Sequence, residues 1–119
     1  MEHILIHNTN GKDNVERASL AFVVGNVARS ANQKTTILLT IEGVRVAVKG
    51  YADDMQAHGF APLSDLIRQF VEAGGEIWVC GACANPREIT SDDLVEGAKI
   101  IGAATAVEAL VNGAKTLDF

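Results

Sequence analysis

The chain has 119 residues, of which 48% are apolar and 21% charged, as is usual for a globular domain. Its formal net charge is −5 and it contains no run of Lys or Arg, which argues against nucleic acid as a partner. No stretch approaches the roughly 20 apolar residues that span a bilayer, and the first residues lack the basic start of a signal peptide. We therefore expect one cytoplasmic domain over residues 1–119 that has no membrane partner.

The first part of the sequence predicts two strands that flank a helix. His3–His7 is a short apolar run with polar ends, which is typical of a buried strand. The polar stretch NTNGKDN follows, and apolar residues then recur at helical spacing from Val15 to about Arg29. Lys34–Gly43 predicts a second strand, and we expect its apolar residues Ile37–Ile41 to be buried on both faces, as in parallel sheets.

The segment Val44–Phe60 does not predict one structure. Its residues Val44, Val46 and Val48 alternate with polar residues or alanine, which is compatible with a short edge strand. A lid over a site or a contact between subunits would fit the same residues. His58 lies in this segment, and a single histidine in a loop is more often a surface residue than a catalytic base.

The remaining sequence continues the alternation of helices and strands. PLSDLIRQFVEAGG predicts an amphipathic helix that ends at a glycine pair, and EIWVC predicts the third clear strand. ITSDDLVEGAK predicts a helix that begins with a capping box between Thr90 and Asp93. KIIGAA, TAVEALVNGA and KTLDF then predict a strand, a helix and a last strand. This alternation predicts an α/β layer architecture with a mostly parallel sheet.

Both cysteines of the chain, Cys80 and Cys83, stand at CxxC spacing directly after the third strand. Sites of open parallel sheets gather at the carboxyl ends of the strands, and backbone N–H groups at the start of a following helix stabilise a thiolate there. Arg87 could add a positive charge or bind an anionic sulfur species. Together these residues have the composition of a site for a thiolate nucleophile.

Other interpretations of the cysteine pair stay open. Zinc is the weakest, because two further ligands are needed and His3 and His7 lie about 13 Å apart along one strand. A dithiol–disulfide pair fits better, since CxxC near βα units is a redox motif in a compartment that keeps thiols reduced. Either cysteine could also be a small buried residue in a tight turn. Because zinc is the weakest interpretation, we expect no metal. Nucleotide-binding glycine motifs are absent, so we expect no cofactor either.

Nearly the whole chain resembles the DsrE/DsrF-like family of small α/β proteins. The features that carry the resemblance are the strand that ends in VCGAC, the Arg in the short loop after it, DDL, KIIG and a final strand that ends in Phe. NTNGKDNVERASLAFVVGNVA also resembles the family's first loop and helix. The resemblance implies a flavodoxin-like, Rossmann-type three-layer fold of about five strands, assembled into trimers or hexamers.

In the sulfur-relay members of this family, a cysteine after the equivalent strand carries sulfur as a persulfide between a donor and an acceptor protein. The resemblance assigns that role to Cys80, and Cys83 and Arg87 match a second cysteine and a basic residue that relatives have in this loop. We expect Cys83 to be a second thiol that resolves a persulfide or forms a disulfide, and Arg87 to be an electrostatic helper. Glu88 stands where the family usually has glycine, so the conformation of this loop is not predicted. The alternatives are a non-catalytic oligomeric module that binds a small ligand or a protein, and a CxxC thiol–disulfide redox protein.

Overall fold

A single five-stranded sheet, in which every strand is parallel to its neighbours, forms the centre of the molecule. The computed structural model describes residues 2–119. The strands are β1 (His3–Asn8), β2 (Lys34–Leu39), β3 (Glu76–Cys80), β4 (Ala98–Ile101) and β5 (Lys115–Asp118). Their order across the sheet is β4-β3-β2-β1-β5. The predicted α/β architecture with a parallel sheet of about five strands is therefore confirmed.

Helices cover both faces of the sheet and complete a three-layer arrangement. They are α1 (Val15–Ser30), α2 (Leu63–Glu72), the single turn α3 (Gly81–Ala84) and α4 (Ala103–Val111). Asn14 caps α1 by accepting a hydrogen bond from the Arg17 backbone N–H at 3.0 Å, as expected for the polar stretch before this helix. Within residues 2–119, none of these helices combines the length and the apolar character needed to cross a bilayer.

The two faces of the sheet carry cores of unequal size. The larger core lies on the side of α1 and α2, where Phe22 and Phe70 meet edge to face with ring centroids 5.8 Å apart. The smaller core is built around Leu5, Trp78 and Ala109 on the side of α4. The chain moves from β1 to β4 with its connections on the first face and returns to β5 through α4 on the second. Right-handed crossovers require such a change of face when the direction reverses.

The second predicted strand is shorter than expected, because it ends at Leu39 instead of Gly43. Residues Ile41–Ala47 form a 3₁₀ helix, which we call the 41–47 turn, and Ile41 is 52% exposed where we expected it to be buried. A second 3₁₀ helix, Tyr51–Asp54, follows, and Val48 forms one antiparallel bridge with Leu94. The alternating valines Val44 and Val46 therefore fill the core from a helical turn, and no edge strand forms there.

The helix expected over ITSDDLVEGAK is also absent, although its capping box is present. The Thr90 backbone N–H donates to Asp93 Oδ2 at 2.8 Å, but the 3₁₀ helix Ser91–Asp93 ends after a single turn. The next residues pair with the end of the 41–47 turn, since the Val95 N–H donates to the Ala47 carbonyl at 2.8 Å. These hydrogen bonds to a distant segment replace those that would have continued the helix.

Candidate functional site

Cys80 and Cys83 lie at the edge of the sheet where all five parallel strands have their carboxyl ends. Cys80 is the last residue of β3 and the N-cap of α3, and Cys83 lies within that single helical turn. Both thiols are free and half-buried, and both residues pack against the larger core. The predicted position at a strand end is confirmed, and one helical turn connects the two cysteines.

Arg87 is fixed beside the cysteines by two hydrogen bonds. Its Nη1 donates to the backbone carbonyl of Cys83 at 3.0 Å, and its Nε donates to Glu42 Oε1 at 2.9 Å. The other carboxylate oxygen of Glu42 accepts from Arg45 Nε, also at 2.9 Å. One carboxylate therefore bridges two guanidinium groups, and the three side chains carry a net charge of about +1 next to the cysteine turn.

The carboxyl group of Glu42 is the one whose titration this network changes most clearly. The hydrogen bond from Arg87, and after it the one from Arg45, holds the pKa of Glu42 below its usual value, while burial opposes this effect. The Arg87 side chain is 22% exposed, compared with 36% for Glu42. Arg87 is therefore the more buried partner, and Glu42 supplies the charge that balances it.

The 41–47 turn places Glu42 at the site through an unusual backbone. Ile41 has a φ of 56°, in the left-handed region that β-branched residues rarely adopt. Gly43 follows Glu42 and packs so closely that a Cβ there would overlap the backbone carbonyl of Asn8. The Gly43 N–H donates to the Thr9 carbonyl at 3.1 Å, so the turn is attached to the end of β1. Strained backbone of this kind is common at functional sites.

Glu88 adopts the left-handed backbone conformation, at the position where the sequence analysis noted that glycine is usual. Its φ of 59° ends the 3₁₀ helix Asn85–Arg87, and its N–H donates to the Asn85 carbonyl at 3.0 Å. The following N–H, of Ile89, donates to the Ala84 carbonyl at 3.1 Å. The loop thus turns sharply with Glu88 in place of a glycine, and Arg87 contacts Glu42.

A second polar group at this edge was not predicted. His7 Nε2 lies 2.7 Å from Thr40 Oγ1, and its Nδ1 lies 3.1 Å from Asp118 Oδ1. The sequence predicted Thr40 inside the second strand and Asp118 near the end of the last one, so it gave no signal that they meet His7. Glu42 and Arg45 were missed too, because the sequence predicted a strand over Glu42. His58 is exposed in the loop before α2 and is not among the residues brought together here.

Comparison with known sequences gives a family match over almost the entire chain. The sequence model of the DsrE/DsrF-like family matches residues 2–119. The uncharacterized protein MJ0760 of Methanocaldococcus jannaschii is 37% identical over 105 residues, which cover 88% of this chain and 38% of that protein. The uncharacterized protein MK0008 of Methanopyrus kandleri is 28% identical over 103 residues, 87% of this chain and 78% of that protein. The chain thus spans well under half of the first of these relatives.

Solved structures with the same fold include three proteins of low sequence identity. The ychN protein from E. coli has a TM-score of 0.84 with 16% identity, and the match covers 100% of both chains. MTH1491 from Methanobacterium thermoautotrophicum has a TM-score of 0.70 with 15% identity over 100% of both chains. BT1422 from Bacteroides thetaiotaomicron reaches 0.69 with 21% identity, covering 99% of this chain and 95% of that one. At these identities the likeness establishes the fold.

Proposed function

We propose a sulfur-relay function, because this chain belongs to the DsrE/DsrF-like family. In this proposal Cys80 accepts one sulfur atom as a persulfide from a donor protein and passes it to an acceptor protein. The observation that carries the proposal is the position of Cys80, a free and half-buried thiol that ends β3 at the carboxyl edge of the sheet. A reducing cytoplasm is the proposed location, because the reaction needs free thiols.

The proposed transfer is a thiolate displacement without net oxidation. The Cys80 thiolate attacks the terminal sulfur of a donor persulfide, and a new S–S bond forms on Cys80. The S–S bond of the donor breaks, and its electron pair leaves with the donor cysteine as a thiolate. Passing the sulfur to an acceptor thiolate repeats the same exchange in the opposite direction, so neither a metal nor a cofactor takes part.

The Arg87–Glu42–Arg45 network gives this edge of the sheet a favourable charge for anionic sulfur. Arg87 Nη1 donates to the backbone carbonyl of Cys83, so its guanidinium lies at the end of the helical turn that begins at Cys80. A thiolate and a persulfide anion both gain from a nearby positive charge. We therefore assign Arg87 the role of electrostatic helper, and Glu42 the role of holding Arg87 in place.

Cys83 is assigned the role of a second thiol, and its position also supports a second candidate function. Its thiolate could attack Cys80 Sγ in the persulfide, which would release hydrosulfide and leave a Cys80–Cys83 disulfide. The N-cap residue and the third residue of one helical turn hold the two thiols, the spacing that a CxxC redox pair uses. A thiol–disulfide redox protein is therefore the alternative, and it predicts a stable disulfide without any sulfur transfer.

Intact mass after incubation with a persulfide donor tests the proposal directly. We expect the reduced protein to gain about 32 Da for one sulfur atom, and Cys80→Ser to gain none. Cys83→Ser is the matched control, which we expect to take up sulfur and to hold it longer because no second thiol releases it. A loss of 2 Da without a prior gain would favour the redox alternative. Unreactive thiols in every variant would favour a binding module.

A further inference from the structure

A cavity of about 400 Å³ opens on the α4 side of the sheet, at the amino ends of the strands and away from the cysteines. It lies between the first residues of β1, β2 and β3 and the C-terminal half of α4. Among the side chains that line it are His3, Lys34, Trp78, Glu108, Ala109 and Asn112. A volume of this size is within the range of binding sites for small molecules.

The floor of the cavity is apolar and is continuous with the smaller core. Trp78 and Ala109 line the cavity and are both members of that core. The indole N–H of Trp78 is already used, because it donates to Glu76 Oε2 at 3.1 Å. Trp78 and Ala109 therefore offer a ligand only apolar contact, from an indole ring and a methyl group, which suits an apolar side chain.

On the sheet side of the cavity, His3 and Lys34 form a wall that suits an anion. They are paired in the register of β1 and β2, so their side chains lie on the same face. His3 Nε2 lies 2.9 Å from Oγ1 of Thr36, a fully buried residue whose hydroxyl has no other partner among residues 2–119. A buried hydroxyl donates its hydrogen where it can, so Nδ1 carries the hydrogen of the neutral ring and is available as a donor. Burial, and after it the charge of Lys34, holds the pKa of His3 below its usual value, against the charge of Glu76.

On the helix side of the cavity, Glu108 and the C-terminus of α4 suit a cation. Asn112 is the C-cap of α4, and the last carbonyl groups of a helix carry the negative end of its dipole. The ion pairs among residues 2–119 include neither Glu108 nor Lys34, so both charges are available to a ligand. At about 100° per residue, Val107 and Val111 lie on the opposite side of α4, so a molecule bound there leaves the cavity open.

We propose that this cavity binds a free α-amino acid with an apolar side chain about as large as that of leucine. The ligand carboxylate accepts from the Lys34 ammonium and from His3 Nδ1–H, and the ligand ammonium faces Glu108. The apolar side chain packs on Trp78 and Ala109. Walls of opposite charge select a ligand that carries both charges, which neither a simple carboxylic acid nor an amine does. This binding site goes beyond the proposed sulfur relay, in which the cavity takes no part.

The test is a titration of the protein with L-leucine, followed by fluorescence and by calorimetry. Trp78 is the only tryptophan of the chain, so its emission reports on this cavity. We expect a saturable change in emission and an affinity for L-leucine at least about tenfold higher than for each of three analogues. The analogue 4-methylpentanoate lacks the ammonium group, 3-methylbutylamine lacks the carboxylate, and glycine lacks the side chain.

Substitutions on the two walls connect each charged group of the ligand to one residue. We expect Glu108→Gln to lower the affinity for L-leucine by about tenfold but not the affinity for 4-methylpentanoate, which has no ammonium to lose. Lys34→Gln should likewise weaken L-leucine but not 3-methylbutylamine. Both residues are exposed, so we expect both variants to fold. Lys115→Gln is the matched control, because Lys115 pairs with Ile4, which packs against the larger core on the other face.

The absence of saturable L-leucine binding by both methods would overturn the proposal. Heat of binding without any change in Trp78 emission would do the same, since the ligand would then lie elsewhere. Equal affinities for L-leucine and any of the three analogues would contradict the chemistry assigned to the walls or the floor. A loss of affinity in Lys115→Gln as large as that in Lys34→Gln would show a general effect of charge instead of a site.

Discussion

At the scale of single residues, Glu42 connects the parts of the candidate site, since each of its carboxylate oxygens accepts from a different arginine. Its bond to Arg87 joins residues 45 positions apart, whereas its bond to Arg45 lies within one turn. Partly exposed ion pairs contribute little individually, but a carboxylate shared by two guanidinium groups is a small network with fixed geometry. Glu42 should therefore matter more than an ordinary surface acid.

We expect Glu42→Gln to lower the free energy of unfolding at neutral pH and to lose this effect in acid. The pKa of Glu42 is lowered in the folded protein, so its contribution is complete above the unfolded value of about 4.3. As the pH falls through the lower, folded value, the carboxylate of the folded protein becomes protonated and the contribution disappears. Urea unfolding of both proteins at pH 7 and near pH 3 measures the difference between them.

Asp65→Asn is the control for this experiment. Asp65 accepts from Arg68 Nη2 at 2.7 Å within α2, and both side chains are exposed. A single exposed pair of this type contributes about 0–0.5 kcal/mol, so we expect little change at either pH. Equal effects of the two substitutions would show that Glu42 is no more than a surface charge.

Glu88 tests whether backbone strain is present in the cysteine loop. A non-glycine residue in the left-handed conformation costs about 1–2 kcal/mol, which glycine avoids. Glycine also makes the unfolded chain more flexible, and this offsets part of the gain. We expect Glu88→Gly to raise the free energy of unfolding by about 0.5–1 kcal/mol, measured by urea unfolding. Glu88→Ala removes the same charge but keeps the strained conformation, so it should give no such gain. A destabilised Glu88→Gly variant would contradict this assignment of strain.

At the scale of elements, the 41–47 turn is the part that brings Glu42 to the cysteines, and Gly43 fixes where it lies. A side chain at Gly43 would overlap the Asn8 carbonyl, which belongs to the rigid end of β1. We expect Gly43→Ala to lower the free energy of unfolding by about 1–3 kcal/mol. We also expect slower alkylation and lower sulfur uptake at the cysteines, because the turn must move Glu42 and with it Arg87, whose charge favours the thiolate. Thermal unfolding, the rate of cysteine alkylation by iodoacetamide at pH 7 and the mass gain with a persulfide donor measure these effects.

Gly102→Ala is the matched control, since a Cβ at Gly102 meets no atom within 4 Å and its φ of −90° suits any residue. We expect that variant to stay within about 0.5 kcal/mol of the parent. If Gly43→Ala were equally silent, the turn would have room to adjust and would not determine the position of Glu42.

The elements that the sequence predicted well are those whose signal is local. The strand His3–Asn8 and the helix Leu63–Glu72 follow from apolar periodicity, and Cys80 and Cys83 follow from three-residue spacing after a strand. The 41–47 turn could not be predicted, because its buried valines mimic a strand and its hydrogen bonds run to Thr9, at the end of β1. For the same reason the capping box at Thr90 indicated a helix that pairing with residues 47–49 prevents.

At the scale of the whole molecule, the sheet is covered unequally. Helix α1 contributes its apolar residues Ala18, Ala21 and Phe22 to the larger core. Helix α4 has nine residues, of which only Ala109 is buried. A helix of this length depends on tertiary packing for its stability. Because α4 buries so little of its apolar surface within one chain, its exposed apolar side chains indicate a contact with another molecule.

The exposed stripe of α4 is the surface where we propose that further copies of this chain bind. Val107, Leu110 and Val111 are 57%, 48% and 78% exposed and follow each other at helical spacing, with Leu117 of β5 49% exposed. The resemblance to the family implied trimers or hexamers, and a symmetric assembly would bury such a stripe.

We expect Leu110→Glu combined with Val111→Glu to reduce the molar mass measured by light scattering to that of one chain. Val27→Glu, which places the same charge at a 64% exposed valine of α1, should leave the mass of the assembly unchanged. A parent protein that is already monomeric at high concentration would contradict the proposal, and the stripe would then await a different partner.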